Sequence, residues 1–114
     1  MDTAVYYNPS CSKCRTVQAI LAEKGIEARL VRYLEQAPTR AEIEDLMAKL
    51  GIEDPRDMMR TGEACYEQLG LATATADELI EAMMVEPVLI ERPIVVRGDR
   101  AVIARPAERV NQLL

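Results

Sequence analysis

No histidine, tryptophan or phenylalanine occurs in this chain of 114 residues. Without histidine, Ser-His-Asp triads, Cys-His dyads, imidazole acid–base catalysis and zinc sites with histidine ligands are excluded. The three cysteines cannot build a disulfide framework, and they fall short of an all-thiolate structural zinc site. Four tyrosines are the only aromatic residues, so the core must be aliphatic and methionine-based. An aromatic platform for stacking single-stranded nucleic acid is not expected. No apolar run approaches the roughly 18–20 residues of a membrane helix, and no signal-peptide pattern follows Met1. The expected location is the cytoplasm, with no membrane partner.

The formal net charge of −5 argues against broad phosphate-backbone binding, so no direct nucleic-acid partner is expected. The charge is unevenly spread: residues 1–34 carry +2, residues 35–91 carry −10 and residues 92–114 carry +3. Basic groups are mostly arginine, which suits fixed, bidentate contacts to oxyanions. A solvated surface nevertheless accounts for most of them. The length fits one domain.

Hydrophobic patterning divides that length into elements. Thr3–Tyr7 reads as a strand and Asn8-Pro9-Ser10 as a turn. A helix is expected from about Ser12 to Lys24, with Val17, Ile20 and Leu21 on one face and Gly25 beyond its end. Glu27–Tyr33 alternates as a strand whose polar content places it near a sheet edge. Together these form a βαβ unit, whose right-handed crossover makes the two strands parallel. Capping boxes at Thr39-Arg40-Ala41-Glu42 and Thr75-Ala76-Asp77-Glu78 open two further helices. Between them, Asp54–Arg60 reads as a short helix with Pro55 in its first turn. Met58, Met59, Met83 and Met84 read as core filler. Pro93–Arg97 and Arg100–Ala104 flank the hairpin signal Gly98-Asp99, and Pro106 is expected at the first position of a last helix. The fold class is α/β: a thioredoxin-like βαβ–(helical insertion)–ββα order with a mixed four-stranded sheet and flanking helices. Residues 1–114 are expected to form one domain, the insertion spanning about 38–90.

Cys11-Ser12-Lys13-Cys14 stands where the first strand gives way to the first helix. Unpaired N–H groups and the positive dipole end of that helix favour a thiolate at Cys11, and Lys13 and Arg15 add positive charge. Cys14, one turn on, lies on the same face and can close a disulfide with Cys11. The plainer readings are two small buried hydrophobes, or capture of a metal by the pair. The helix N-terminus and the turn at Asn8 and Ser10 also offer N–H donors to a tetrahedral oxyanion. Arg92-Pro93 precedes a strand and Arg105-Pro106 a helix. The first bond is open to the cis form, a minority state, or is a simple strand entry behind a surface arginine; Arg105 reads equally as an exposed charge. Cys65 reads as structural or incidental.

Several blocks in order carry a resemblance. Tyr6-Tyr7-Asn8-Pro9-Ser10-Cys11 with Arg15, Tyr33-Leu34-Glu35, and Arg60 with Tyr66-Glu67-Gln68-Leu69-Gly70-Leu71 resemble the glutaredoxin-coupled arsenate reductases. So do Arg92-Pro93-Ile94-Val95-Val96 and Arg105-Pro106, so the likeness runs nearly end to end. The resemblance implies Cys11 as catalytic thiol and Arg60, Arg92 and Arg105 as arginines that balance oxyanion charge. It implies arsenate or another small oxyanion as substrate, no bound cofactor, glutathione as co-substrate, and glutaredoxin (or thioredoxin) as reductant. Two positions depart from the pattern: Tyr7 stands where that family commonly has histidine, and Cys14 adds a second thiol. The CxxC pair is similar to that of the Spx regulators, which implies the alternative of a redox switch that binds RNA polymerase without turnover. Cys14 would then be a redox partner, and within a reductase it would be a resolving thiol.

Overall fold

The computed structural model describes residues 2–114, which fall into two units. The first, running to Tyr33 and resuming at Arg92, is built on a four-stranded sheet. Its elements are β1 (Thr3–Tyr6), α1 (Ser12–Glu23), β2 (Arg29–Val31), β3 (Ile94–Arg97) and β4 (Arg100–Ile103). A 3-10 helix, Ala107–Leu113, ends the chain. The sheet order is β2-β1-β3-β4, with β1 and β2 parallel and the other pairs antiparallel.

Local sequence explains this arrangement. All four residues of β1 are buried, as befits a central strand, whereas β2 at the edge buries none fully. Cys14, Val17 and Leu21 place the apolar face of α1 in one cluster with Val5 and Val95 of the sheet and Val110 of the last helix. Each fully buried aliphatic side chain contributes roughly 1.5–3 kcal/mol by leaving water. The hairpin pairs Arg97 with Arg100 around Gly98, whose φ of 63° suits glycine.

The second unit, Leu34–Glu91, contains α2 (Arg40–Leu50), α3 (Ala64–Gln68) and α4 (Ala76–Val85), with 3-10 turns at Pro55–Met58, Leu71–Thr73 and Pro87–Leu89. Both capping boxes form: Thr39 with Glu42, and Thr75 with Glu78, each side chain meeting the other residue's backbone N–H. Met58, Met59 and Met83 are buried and Met84 half-buried, consistent with their reading as core.

Several boundaries move. The sheet edge retains only Arg29–Val31 of the expected Glu27–Tyr33, since β2 has a partner on one side alone. The helix expected over Asp54–Arg60 is a 3-10 turn ending at Met58, because Met59 extends to bridge Ile90. Pro106 precedes the last helix rather than opening it: its ψ of 163° is extended.

Candidate active site

β1 runs into a short loop whose shape Asn8 sets. The Asn8 Oδ1 accepts the N–H of Ser10 at 2.9 Å, and its carbonyl accepts the N–H of Cys11 at 2.9 Å. These bonds turn the chain so that Cys11 is the N-cap of α1, with extended backbone (φ −90°, ψ 120°). Cys14 follows in the first turn and is fully buried; Ser10, Lys13 and Arg15 are exposed.

The strand register gathers more groups at this end of the sheet. Tyr6, the last residue of β1, pairs with Val31 on one side and Ile94 on the other. Two residues beyond each of these pairings lie Tyr33 and Arg92. Ile94 in turn pairs with Ile103, and Arg105 lies two residues past it. The same end of β1 feeds the Cys11 loop. Four chemically active residues from distant parts of the sequence thus share one end of one sheet.

Their interactions follow. Arg105 Nη1 donates to the Arg92 carbonyl at 2.9 Å. Burial opposes the charge of the Arg92 guanidinium, and its interactions with Cys11 and Tyr33 more than compensate, raising its pKa. Its Nε is buried and makes no hydrogen bond among the described residues. Arg92–Pro93 and Arg105–Pro106 are both cis. Tyr7 joins the cluster that includes Cys11, and its hydroxyl accepts from Arg32 Nε at 3.0 Å.

The two thiols are set apart. Burial disfavours ionised Cys11, but the N–H and thiol of Cys14, the Arg92 guanidinium and the Lys13 N–H outweigh it and hold the pKa below the usual thiol value. Neutral Cys11 makes no side-chain capping bond to α1, so the N–H groups act on the ionised sulfur. Burial pushes Cys14 up to about 11, the nearby Cys11 adding to the rise against the Asn8 N–H and Arg92. Of the two thiols Cys11 ionises first, and Cys14 keeps its proton to higher pH.

This asymmetry has a measurable pH dependence. Iodoacetamide is expected to label Cys11 at pH 7 at least several-fold faster than an ordinary thiol, while Cys14 resists labelling until the pH nears 11. A mass-spectrometric pH series checks both. For stability the sign is negative in alkali. Between the ordinary thiol range and about 11, unfolded Cys14 has lost a proton that the native state keeps, so stability falls as pH rises.

Arg60 lies in the second unit, half-buried, its Nε bound to Glu63 Oε1 at 3.0 Å and its N–H to the Leu89 carbonyl. Cys65 is half-buried there and unbonded to another cysteine. Two residues escaped sequence reasoning. The sequence places Tyr33 at a strand end and in a block of the resemblance but gives it no role, although a lone large aromatic on a polar edge strand is a usable signal. Arg56 had none: its guanidinium bonds Tyr66 Oη and the carbonyls of Leu71, Ala72 and Ala74, at 2.8–3.2 Å. It serves structure within the second unit. Among the described residues, no group of three or more Cys, Asp or Glu is placed to hold a metal.

The ArsC family model matches residues 6–113, from the end of β1 through the last helix. The chain belongs to the ArsC family. The arsenate reductase of Haemophilus influenzae is 41% identical over 116 residues, covering 100% of each chain. The arsenate reductase of Neisseria meningitidis is 38% identical over 115 residues, covering 99% of this chain and 98% of its own. Among solved structures, the arsenate reductase of Vibrio cholerae superposes with a TM-score of 0.96 at 40% identity, covering 100% of this chain and 98% of that one. The expected thioredoxin-like fold and the resemblance to arsenate reductases are both borne out. For an ArsC-family chain, the Cys11 loop, Arg92 and Arg105 all fall inside the matched span, as does Arg60.

Proposed function

We propose that this chain reduces arsenate, with Cys11 as nucleophile and Arg92 and Arg105 as cations that hold the oxyanion; the resemblance implies a charge-balancing role for Arg60 as well. One observation carries the reading: a thiol of lowered pKa at a helix N-terminus lies beside a guanidinium whose buried Nε has no acceptor among the described residues. A buried, unused N–H donor next to a nucleophile is suited to an incoming oxyanion. The names of the full-length relatives support reduction over the regulatory alternative.

The chemistry balances with two thiols. The Cys11 thiolate attacks arsenic and water leaves, giving a sulfur–arsenic(V) adduct. A second thiol attacks the Cys11 sulfur, the sulfur–arsenic bond breaks toward arsenic, and arsenite departs with two electrons gained. Two thiols have become one disulfide. With glutathione as the second thiol, a mixed disulfide forms on Cys11 and glutaredoxin removes it. The Cys14 thiol already bonds Cys11, which favours an internal disulfide that glutaredoxin or thioredoxin then reduces. No bound cofactor enters either route. The reduced thiols required accord with a cytoplasmic setting. No helix among the described residues is long and apolar enough to cross a membrane.

Arsenate-dependent NADPH oxidation, with glutathione, glutaredoxin and glutathione reductase supplied, tests this reading. The parent turns over; no turnover with thiols confirmed reduced overturns arsenate as substrate. Cys14→Ser is expected to lower the rate by roughly ten-fold or more if the internal disulfide is the route. An unchanged rate assigns the second thiol to glutathione.

A further inference from the structure

Tyr33 is fully buried while its neighbours Arg32, Leu34, Glu35 and Gln36 are exposed. A phenol hydroxyl taken out of water there requires a polar neighbour. The sheet register supplies one. Tyr33 and Arg92 each lie two residues beyond a pairing with Tyr6, on the two sides of β1, and the Tyr33 side chain, like Cys11, favours the charged form of the Arg92 guanidinium. The backbone of Arg92 is separately held by Arg105. We propose that Tyr33 is a positioning residue, whose hydroxyl holds the Arg92 guanidinium against Cys11.

The need for such a group follows from the arginine side chain. An arginine has much rotamer entropy to lose on ordering. Arg105 restrains its main chain through the Arg92 carbonyl, and Cys11 offers a single sulfur. The Tyr33 hydroxyl adds a second side-chain restraint from the opposite strand neighbour of β1. The guanidinium is then fixed beside the thiolate before any oxyanion arrives, and Nε remains available for that ligand. Tyr33 touches no reacting atom in this scheme; it acts through Arg92.

The proposal rests on Cys11 as the reactive thiolate, and its test is read without arsenate. Tyr33→Phe removes one oxygen and keeps the ring. Iodoacetamide labelling of Cys11 at pH 7 is expected to slow about three-fold, with the rate recovering as pH rises. In Arg92→Ala, where the guanidinium is already gone, adding Tyr33→Phe is expected to change the labelling rate no further. A merely structural tyrosine would move thermal stability and leave the labelling profile alone. Unchanged or faster labelling in Tyr33→Phe, or a slowing that persists on the Arg92→Ala background, overturns the proposal. Should Tyr33→Phe not fold, carbon NMR of the Tyr33 Cζ in Arg92→Ala against parent decides: a moved resonance supports the contact and an unmoved one overturns it. Failure of arsenate turnover with these labelling results intact would remove the substrate and leave Tyr33 in its role.

Discussion

Cys11→Ser is expected to abolish arsenate-dependent turnover, by at least ~10³-fold in the coupled NADPH assay. A serine hydroxyl is not ionised near neutral pH, and this chain has no histidine to act as a base for it. The helix N-terminus and Arg92 lower the pKa of a thiol enough to matter, but a hydroxyl begins too far above neutrality. The same substitution is expected to leave folding intact or improve it by up to ~1 kcal/mol. Cys11 is the N-cap of α1 and makes no capping bond, and serine is a preferred N-cap. Thermal melts beside the assay separate the two effects. Activity within ten-fold of the parent would take the nucleophile's role from Cys11.

What the sequence disclosed is what local pattern determines. A threonine three residues before a glutamate marked the start of α2 and of α4, and both boxes form because the partners lie within one turn. The polar alternation of the second strand marked an edge, since an inward-facing central strand cannot carry that many charges. The CxxC pair declared itself through its place between strand and helix. The convergence of Arg92, Arg105 and Tyr33 was hidden, because it depends on strand order and register across some 70 residues of chain. The resemblance named both arginines, yet only the register explains why they meet. Tyr33 stayed unassigned for the same reason: its partner lies across the sheet. Arg56 illustrates the remaining blind spot. One among eleven arginines, it is set apart by carbonyls that nothing in its neighbourhood of sequence foretells.

Arg92→Ala is expected to lower kcat/KM for arsenate by about 10²–10³-fold, the usual consequence of removing one donor from an oxyanion site. Two losses combine in that figure, and pH separates them. One is the countercharge that favours the Cys11 thiolate; raising the pH ionises the thiol anyway and recovers this part. The other is the Nε donor to the oxyanion, which no pH restores. Arg92→Ala is therefore expected to gain on the parent between pH 7 and 9 without reaching it, with KM for arsenate staying high. The backbone tie should survive, since Arg105 bonds the Arg92 carbonyl rather than its side chain. Arg92→Lys keeps the charge but not the fork of donors, so it should restore Cys11 labelling more fully than turnover. Exposed cations supply the contrast. Lys13→Ala and Arg15→Ala remove charge that water and salt already screen, and each should cost only a few-fold. If Arg92→Ala behaved like those two, the thiolate would owe its character to the helix N-terminus and Cys14 alone, and the guanidinium would have no part in binding the oxyanion.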